Sequence, residues 1–110
     1  MLNQDATVIF RETADRLTAG IKGDIDHHSA FGIRTKIDSE LLRKKPAVLS
    51  LDLSAVSFMD SSGLGLILGR LNKAGETGTV LMIENPSAPI EKILDLAGID
   101  RLVTIEHNKT

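Results

Sequence analysis

The stretch AVLSLDL, Ala47 to Leu53, restricts the fold of this chain more than any other. It is short and largely apolar on both faces, so it reads as a central strand covered by helices on both sides rather than a half-solvated one. Such a strand needs paired neighbours for its backbone groups, and the rest of the chain supplies candidates. Thr7 to Thr13 and Leu17 to Lys22 read as two strands joined by a polar turn around Ala14 to Arg16, close enough to pair as an antiparallel hairpin. TVLMIE, Thr79 to Glu84, and LVTIE near the C-terminus read as two more.

Between the strands the apolar period changes to that of helices. Asp26 can cap a helix in which Ala30, Ile33, Ile37 and Leu41 form one stripe, ending at the basic RKKP. Cations suit that negative helix end, and Pro46 stops it. Ser62 can cap a second helix with Leu64, Ile67, Leu68 and Leu71 on one face and Gly75 as its stop; Gly65 and Gly69, one turn apart, would let it lie close to a neighbour. SAPIEKILDLAG reads as a third, with Pro89 in its first turn and Gly98 as its stop. The order β-β-α-β-α-β-α-β predicts an α/β fold. Its mixed sheet has parallel neighbours joined by right-handed helical crossovers and an antiparallel strand near one edge. With no repeat, linker or low-complexity segment in 110 residues, a single domain spanning 1–110 is expected.

Composition narrows the function. A net charge of −2 with mixed signs, no tryptophan or tyrosine and only three phenylalanines supplies neither the basic face nor the stacking surface of a nucleic-acid binder. Absence of cysteine excludes a disulfide framework and a thiolate metal site. His27 and His28 are adjacent, point about 100° apart on a helix, and read as a solvent-facing helix start rather than a chelate. No metal-ligand spacing occurs elsewhere. MLNQDATVIF lacks the pattern of a signal peptide and no apolar run reaches about 18 residues, so a soluble cytoplasmic protein without a membrane segment is expected.

The chemistry concentrates in FMDSSGLG, Phe58 to Gly65. On one reading Asp60 and Ser62 satisfy free N–H groups at a helix start, Ser61 is solvated and the glycines permit a tight turn. On another, Ser61 is a phosphoacceptor displayed between a buried strand and a helix N-terminus. A phosphate there adds about −1.5 to −2 charge, partly accepted by the helix end and repelled by Asp60, which changes the surface potential and leaves the fold intact. Local chemistry leaves these two level. A third reading is a dinucleotide site, since GLGLILG enters a helix and Glu84 ends the following strand where a ribose-binding acid would lie. Against it, a further stretch separates Leu53 from Gly63 where the fingerprint turns sharply, and a chain this short has no room for a catalytic domain. Nucleophilic catalysis lacks both G-x-S-x-G and a histidine placed beside Ser61, so no enzyme is expected.

Two stretches together separate these readings: GDIDHHSA after the second strand, and LDLSAVSFMDSSGLGLILGR in the middle. Both resemble the STAS domain family, and within it the anti-sigma factor antagonists of endospore-forming bacteria. The resemblance extends more loosely from the first strand to LDLAGIDRLV, and the element order derived above is also that family's. It implies a non-enzymatic switch in which the unphosphorylated antagonist binds an anti-sigma factor that is also a serine kinase, freeing a sigma factor. The kinase phosphorylates the antagonist, which lets go, and a metal-dependent serine phosphatase resets it.

Carried onto this chain, the phosphoacceptor is Ser61, with Asp60 and Ser62 as orienting and capping groups. Asp24, on the loop of GDID, matches a position near the phosphosite, and Asp24, Asp60, Ser61, Ser62 and Gly63 make up the implied partner-binding surface. The resemblance implies no cofactor on this chain, with ATP or ADP on the kinase, and a monomer when free. The resemblance also implies a C-terminal helix after the last strand; IEHNKT is too short for one, so part of one sheet face or edge is expected to be less covered. Other STAS domains serve as scaffolds in stress-signalling assemblies, so a scaffold role stays as an alternative beside the nucleotide site.

Overall fold

In the computed structural model, which describes residues 5–108, Thr13 N–H donates to Arg16 O at 2.9 Å and closes the first hairpin. It joins β1 (Thr7–Glu12) to β2 (Arg16–Ile25) in antiparallel register. There follow α1 (His27–Lys44), β3 (Val48–Met59), α2 (Ser61–Thr77), β4 (Val80–Glu84), α3 (Ala88–Leu96), a 3₁₀ turn at Ile99–Arg101, and β5 (Thr104–Glu106). The five strands lie in the order β1-β2-β3-β4-β5, and every pair after the first is parallel. The expected mixed sheet with an antiparallel edge is therefore the one observed.

Because the parallel strands follow one another in chain order, right-handed crossovers carry all three helices to the same face. Alternate strand residues point to that face: Leu17, Ala19 and Ile21 of β2, Leu49 and Leu51 of β3, Leu81 and Ile83 of β4. They form one apolar cluster with Ile33, Ile37 and Leu41 of α1, Leu66 and Ile67 of α2, and Ile90 and Leu94 of α3. The expectation of helices on both sides of β3 is thus corrected. The other face carries Thr18, Ser50 and Met82 side by side in register. Over it Arg16 Nη1 lies 2.6 Å from Glu84 Oε2 and 3.9 Å from Glu106 Oε1, while Arg11 reaches Asp52 at 3.5 Å. Ser50 is wholly buried with an unpartnered hydroxyl. Ser50 and Asp52 on this face alternate with the core residues Leu49, Leu51 and Leu53, the pattern of a strand covered by helices on one side only.

β3 is longer than its own pattern shows. Between Gly20↔Asp52 and Lys22↔Ala55, and again between Gly23↔Val56 and Asp24↔Phe58, β3 advances one residue more than β2. Two bulges on β3 result, and they place Leu53, Val56 and Met59 in the core at a spacing of three, which breaks the alternation by which a strand is recognised. β2 runs on to Ile25 for the same reason, so GDI is strand and not loop.

α1 begins as expected at Asp26. Its carboxylate accepts from Ser29 N–H at 2.9 Å and Asp26 N–H donates to Ser29 Oγ at 3.2 Å, a reciprocal cap. The bond from Ser29 N–H is the main cause holding the Asp26 carboxyl below its ordinary pKa. Of the expected stripe, Ile33, Ile37 and Leu41 are buried and Ala30 is half-buried. α3 carries Pro89 in its first turn and ends before Gly98, whose φ of 78° is left-handed backbone that glycine accepts without strain.

α2 departs from expectation in rotation and length. Gly63, Leu66, Ile67, Arg70 and Ala74 are buried, whereas Leu64 and Leu71 are half-buried and Leu68 is exposed. The helix passes Gly75 and stops at Gly78, at φ 75°. A Cβ built on Gly65 or Gly69 would meet nothing within 4 Å, so close helix packing does not require glycine at either. Rotation is set by a contact that hydrophobic periodicity cannot show: Arg70 Nε is 2.7 Å from Asp38 Oδ1 of α1 with the guanidinium almost wholly buried.

Candidate functional site

β3 ends at Met59 and the chain turns into α2 across one residue. Asp60 N–H donates to Ile25 O at 3.2 Å, which fastens the turn to the end of β2. The Asp60 backbone is extended, and its carboxylate accepts from Ser62 N–H at 2.7 Å while its carbonyl accepts from Gly63 N–H at 2.9 Å. Asp60 is therefore the cap, correcting the assignment of that role to Ser62. A carboxylate at the positive helix end satisfies an otherwise free N–H and interacts favourably with the dipole. Ser61 becomes the first residue of the helix with its side chain exposed, and Ser62 is the half-buried second.

Gly63 is buried, and a Cβ there would stand 2.8 Å from both Cβ and Sδ of Met59. Its lack of a side chain lets the first turn of α2 rest on the end of β3, which sets it apart from Asp24, Asp60, Ser61 and Ser62, all of which keep some exposure. Gly63→Ala must push aside a Met59 Cβ that cannot rotate away. Overpacking of about 1–3 kcal/mol, less about 1 kcal/mol from better helix propensity, leaves an expected net loss of about 1 kcal/mol, read as a lower urea midpoint.

Asp24 lies on β2 rather than on a loop, half-buried and paired with Phe58 across the parallel ladder. Its carbonyl accepts from Ala6 N–H at 3.2 Å and from Ser29 Oγ at 3.0 Å, so backbone and cap hold the strand end together. Asp24 and Asp60–Ser61 thus occupy the C-terminal ends of two adjacent parallel strands, the side of an open α/β sheet on which binding sites assemble. Sequence patterning missed the side of α1 that faces this corner. Phe31 stands off the core stripe and is 64% exposed, and the Arg34 guanidinium lies 4.8 Å from its ring centroid. An aromatic off a helix's apolar stripe was the available signal.

The features behind the dinucleotide reading are placed differently from what that fingerprint requires. The chain does turn sharply after its strand, since β3 reaches Met59, so the objection drawn from the stretch after Leu53 falls. However, Gly63, Gly65 and Gly69 all lie within α2 instead of forming a loop, and the Glu84 carboxylate is held by Arg16. His27 and His28 are exposed at the start of α1 as expected, with His28 Nε2 4.0 Å from Asp5 Oδ2. Among the described residues no three His, Cys, Asp or Glu side chains cluster as a metal site, and no helix is long and apolar enough to cross a membrane.

Comparison with known proteins agrees with this geometry. The family described as the STAS domain matches residues 8–109. An anti-sigma F factor antagonist of Paenibacillus polymyxa is 31% identical over 93 residues, covering 84% of this chain and 80% of that protein. The solved structure of the anti-sigma factor antagonist SpoIIAA in its unphosphorylated form superposes with a TM-score of 0.81 at 25% identity, covering 94% of this chain and 89% of that one. The phosphorylated form of SpoIIAA from Bacillus gives 0.74, also at 25% identity, over 94% and 92%. On a match that spans nearly all of its length, this chain belongs to the STAS domain family.

Proposed function

We propose that this chain is an anti-sigma factor antagonist that binds an anti-sigma factor with serine kinase activity and releases it when Ser61 is phosphorylated. The observation that carries the reading is the division of labour at the start of α2. Asp60 makes the capping bonds, so the adjacent Ser61 is exposed and its hydroxyl is not needed to hold the fold. A phosphate on Ser61 adds charge to a surface without removing a structural hydrogen bond. The curated relative named as an anti-sigma F factor antagonist supports the regulatory role. SpoIIAA, a structural neighbour solved with and without phosphate, supports a switch of this kind.

In this reading the chain performs no chemistry of its own. ATP is bound by the kinase, and a metal-dependent serine phosphatase returns Ser61 to its free form. The domain acts in the cytoplasm as a monomer until it meets its partner, which covers Asp24, Asp60, Ser61 and Ser62. Incubation with the cognate kinase and ATP, followed by mass spectrometry of the digest, is expected to place one phosphate on Ser61 and none on Ser61→Ala. Phosphate on another residue, or on neither protein, would sink the assignment.

A further inference from the structure

Gly65 weakens the free protein with no internal return. It lies in the second turn of α2, where glycine is a poor helix former, and a Cβ built on it meets nothing within 4 Å. Gly63 is explained by Met59; Gly65 is not explained by any neighbour in the chain. It borders a groove of about 270 Å³ between α1 and α2, walled by Phe31 and Arg34 on one side and by Ser62 and Leu66 on the other.

We propose that this groove receives an apolar side chain of the anti-sigma partner, with a carboxylate of that partner set against Arg34. The proposal rests on the Ser61 reading and extends it to a surface on α1. Continuity is the first argument. Ser61 and Gly65 are four residues apart and so lie on one side of the helix, one turn of about 5.4 Å from each other. A partner that responds to charge on Ser61 has to cover it, and a stable interface takes about 800 Å² from each protein, which reaches well past one helix turn.

Chemistry is the second argument. Exposed aromatic rings and arginines are enriched at the centres of interfaces, and Arg34 is already ordered by stacking on Phe31. The groove is lined by His27 and Arg34 but by no acidic side chain, so the complementary charge is a carboxylate. The same electrostatics sets the direction of the switch. A dianion on Ser61, one turn away, repels the incoming carboxylate and weakens the field of Arg34 that would hold it.

The test titrates the unphosphorylated full chain with the purified cognate kinase and measures thermal midpoints in parallel. Gly65→Ala is expected to raise the midpoint by about 4 °C or more and to weaken binding at least about tenfold. Stability and affinity then move in opposite directions, which damage to the fold cannot produce. Phe31→Ala and Arg34→Glu are expected to weaken binding about tenfold or more with little change in midpoint. Binding that responds to Ser61 phosphate but is unchanged in all three variants overturns the groove and leaves the switch standing. Binding that responds to the three variants but not to Ser61 phosphate overturns the switch and leaves the groove. A Phe31-dependent dimer in sedimentation, with kinase binding unaffected, overturns the proposal in favour of a second copy of this chain.

Discussion

After kinase and ATP have acted on both, Ser61→Ala will still bind the anti-sigma kinase, while the wild-type protein will have lost roughly a hundredfold to a thousandfold in affinity. The difference is the cost of burying an uncompensated dianion against a partner, several kcal/mol, at 1.4 kcal/mol for each factor of ten. Ser61→Asp will fall between them, because one carboxylate carries less charge than a phosphate. Neither variant disturbs the cap, which is made by Asp60. An acid at the first helical position is favourable by about 0.3–1 kcal/mol, so Ser61→Asp will melt at or slightly above the wild-type temperature. Weakened binding in a protein that is no less stable assigns the effect to charge at the interface. Equal affinities for wild-type, phosphorylated and Ser61→Asp proteins would instead indicate a scaffold whose contacts ignore Ser61.

The second large effect is on stability. Asp38→Ala will cost about 3 kcal/mol, measured by urea unfolding, because it strands a buried charge. Arg70 has only 5% of its side chain exposed, with Nε 2.7 Å from Asp38 Oδ1. The contact is an ion pair without hydrogen-bond alignment, since neither of those two atoms has a hydrogen-bond partner in the described protein. Burial pushes the Arg70 pKa down and Asp38 pushes it back, yet an arginine stays charged at any pH of interest. Arg70→Met will be milder, since Asp38 is 20% exposed and can keep water. Asp38→Leu combined with Arg70→Met will recover most of the loss, as replacing a buried pair by apolar groups often does. A loss below about 1 kcal/mol for Asp38→Ala would mean that the guanidinium escapes to solvent, and that the pair does not set how α2 is rotated against α1.

Elements that announce themselves through local chemistry were legible in the residues alone. The hairpin, the cap at Asp26, the Ile33–Ile37–Leu41 stripe, Pro89 opening α3 and Gly98 closing it all depend on side chains near in sequence. The same holds for the strand and helix order, and hence for the mixed sheet. What was misjudged depends on partners distant in sequence. The twelve residues of β3 form one strand because β2 pairs with them across two bulges, and past Leu53 no alternation survives to show it. The buried side of α2 includes an arginine, which hydropathy places on the surface and which Asp38 of another helix draws inward.

FMDSSGLG by itself determined that a polar helix start follows a buried strand and that one of two serines is spare. Only the tertiary structure decided which group caps the helix. Once Asp60 N–H is tied to Ile25 O at the end of β2, its carboxylate is the group aimed at the free N–H of Ser62. That leaves Ser61 exposed, with Asp24 on the neighbouring strand end. Capping is a contest between adjacent residues of similar propensity, and it is settled by where the preceding strand stops, which is fixed by pairing across the sheet.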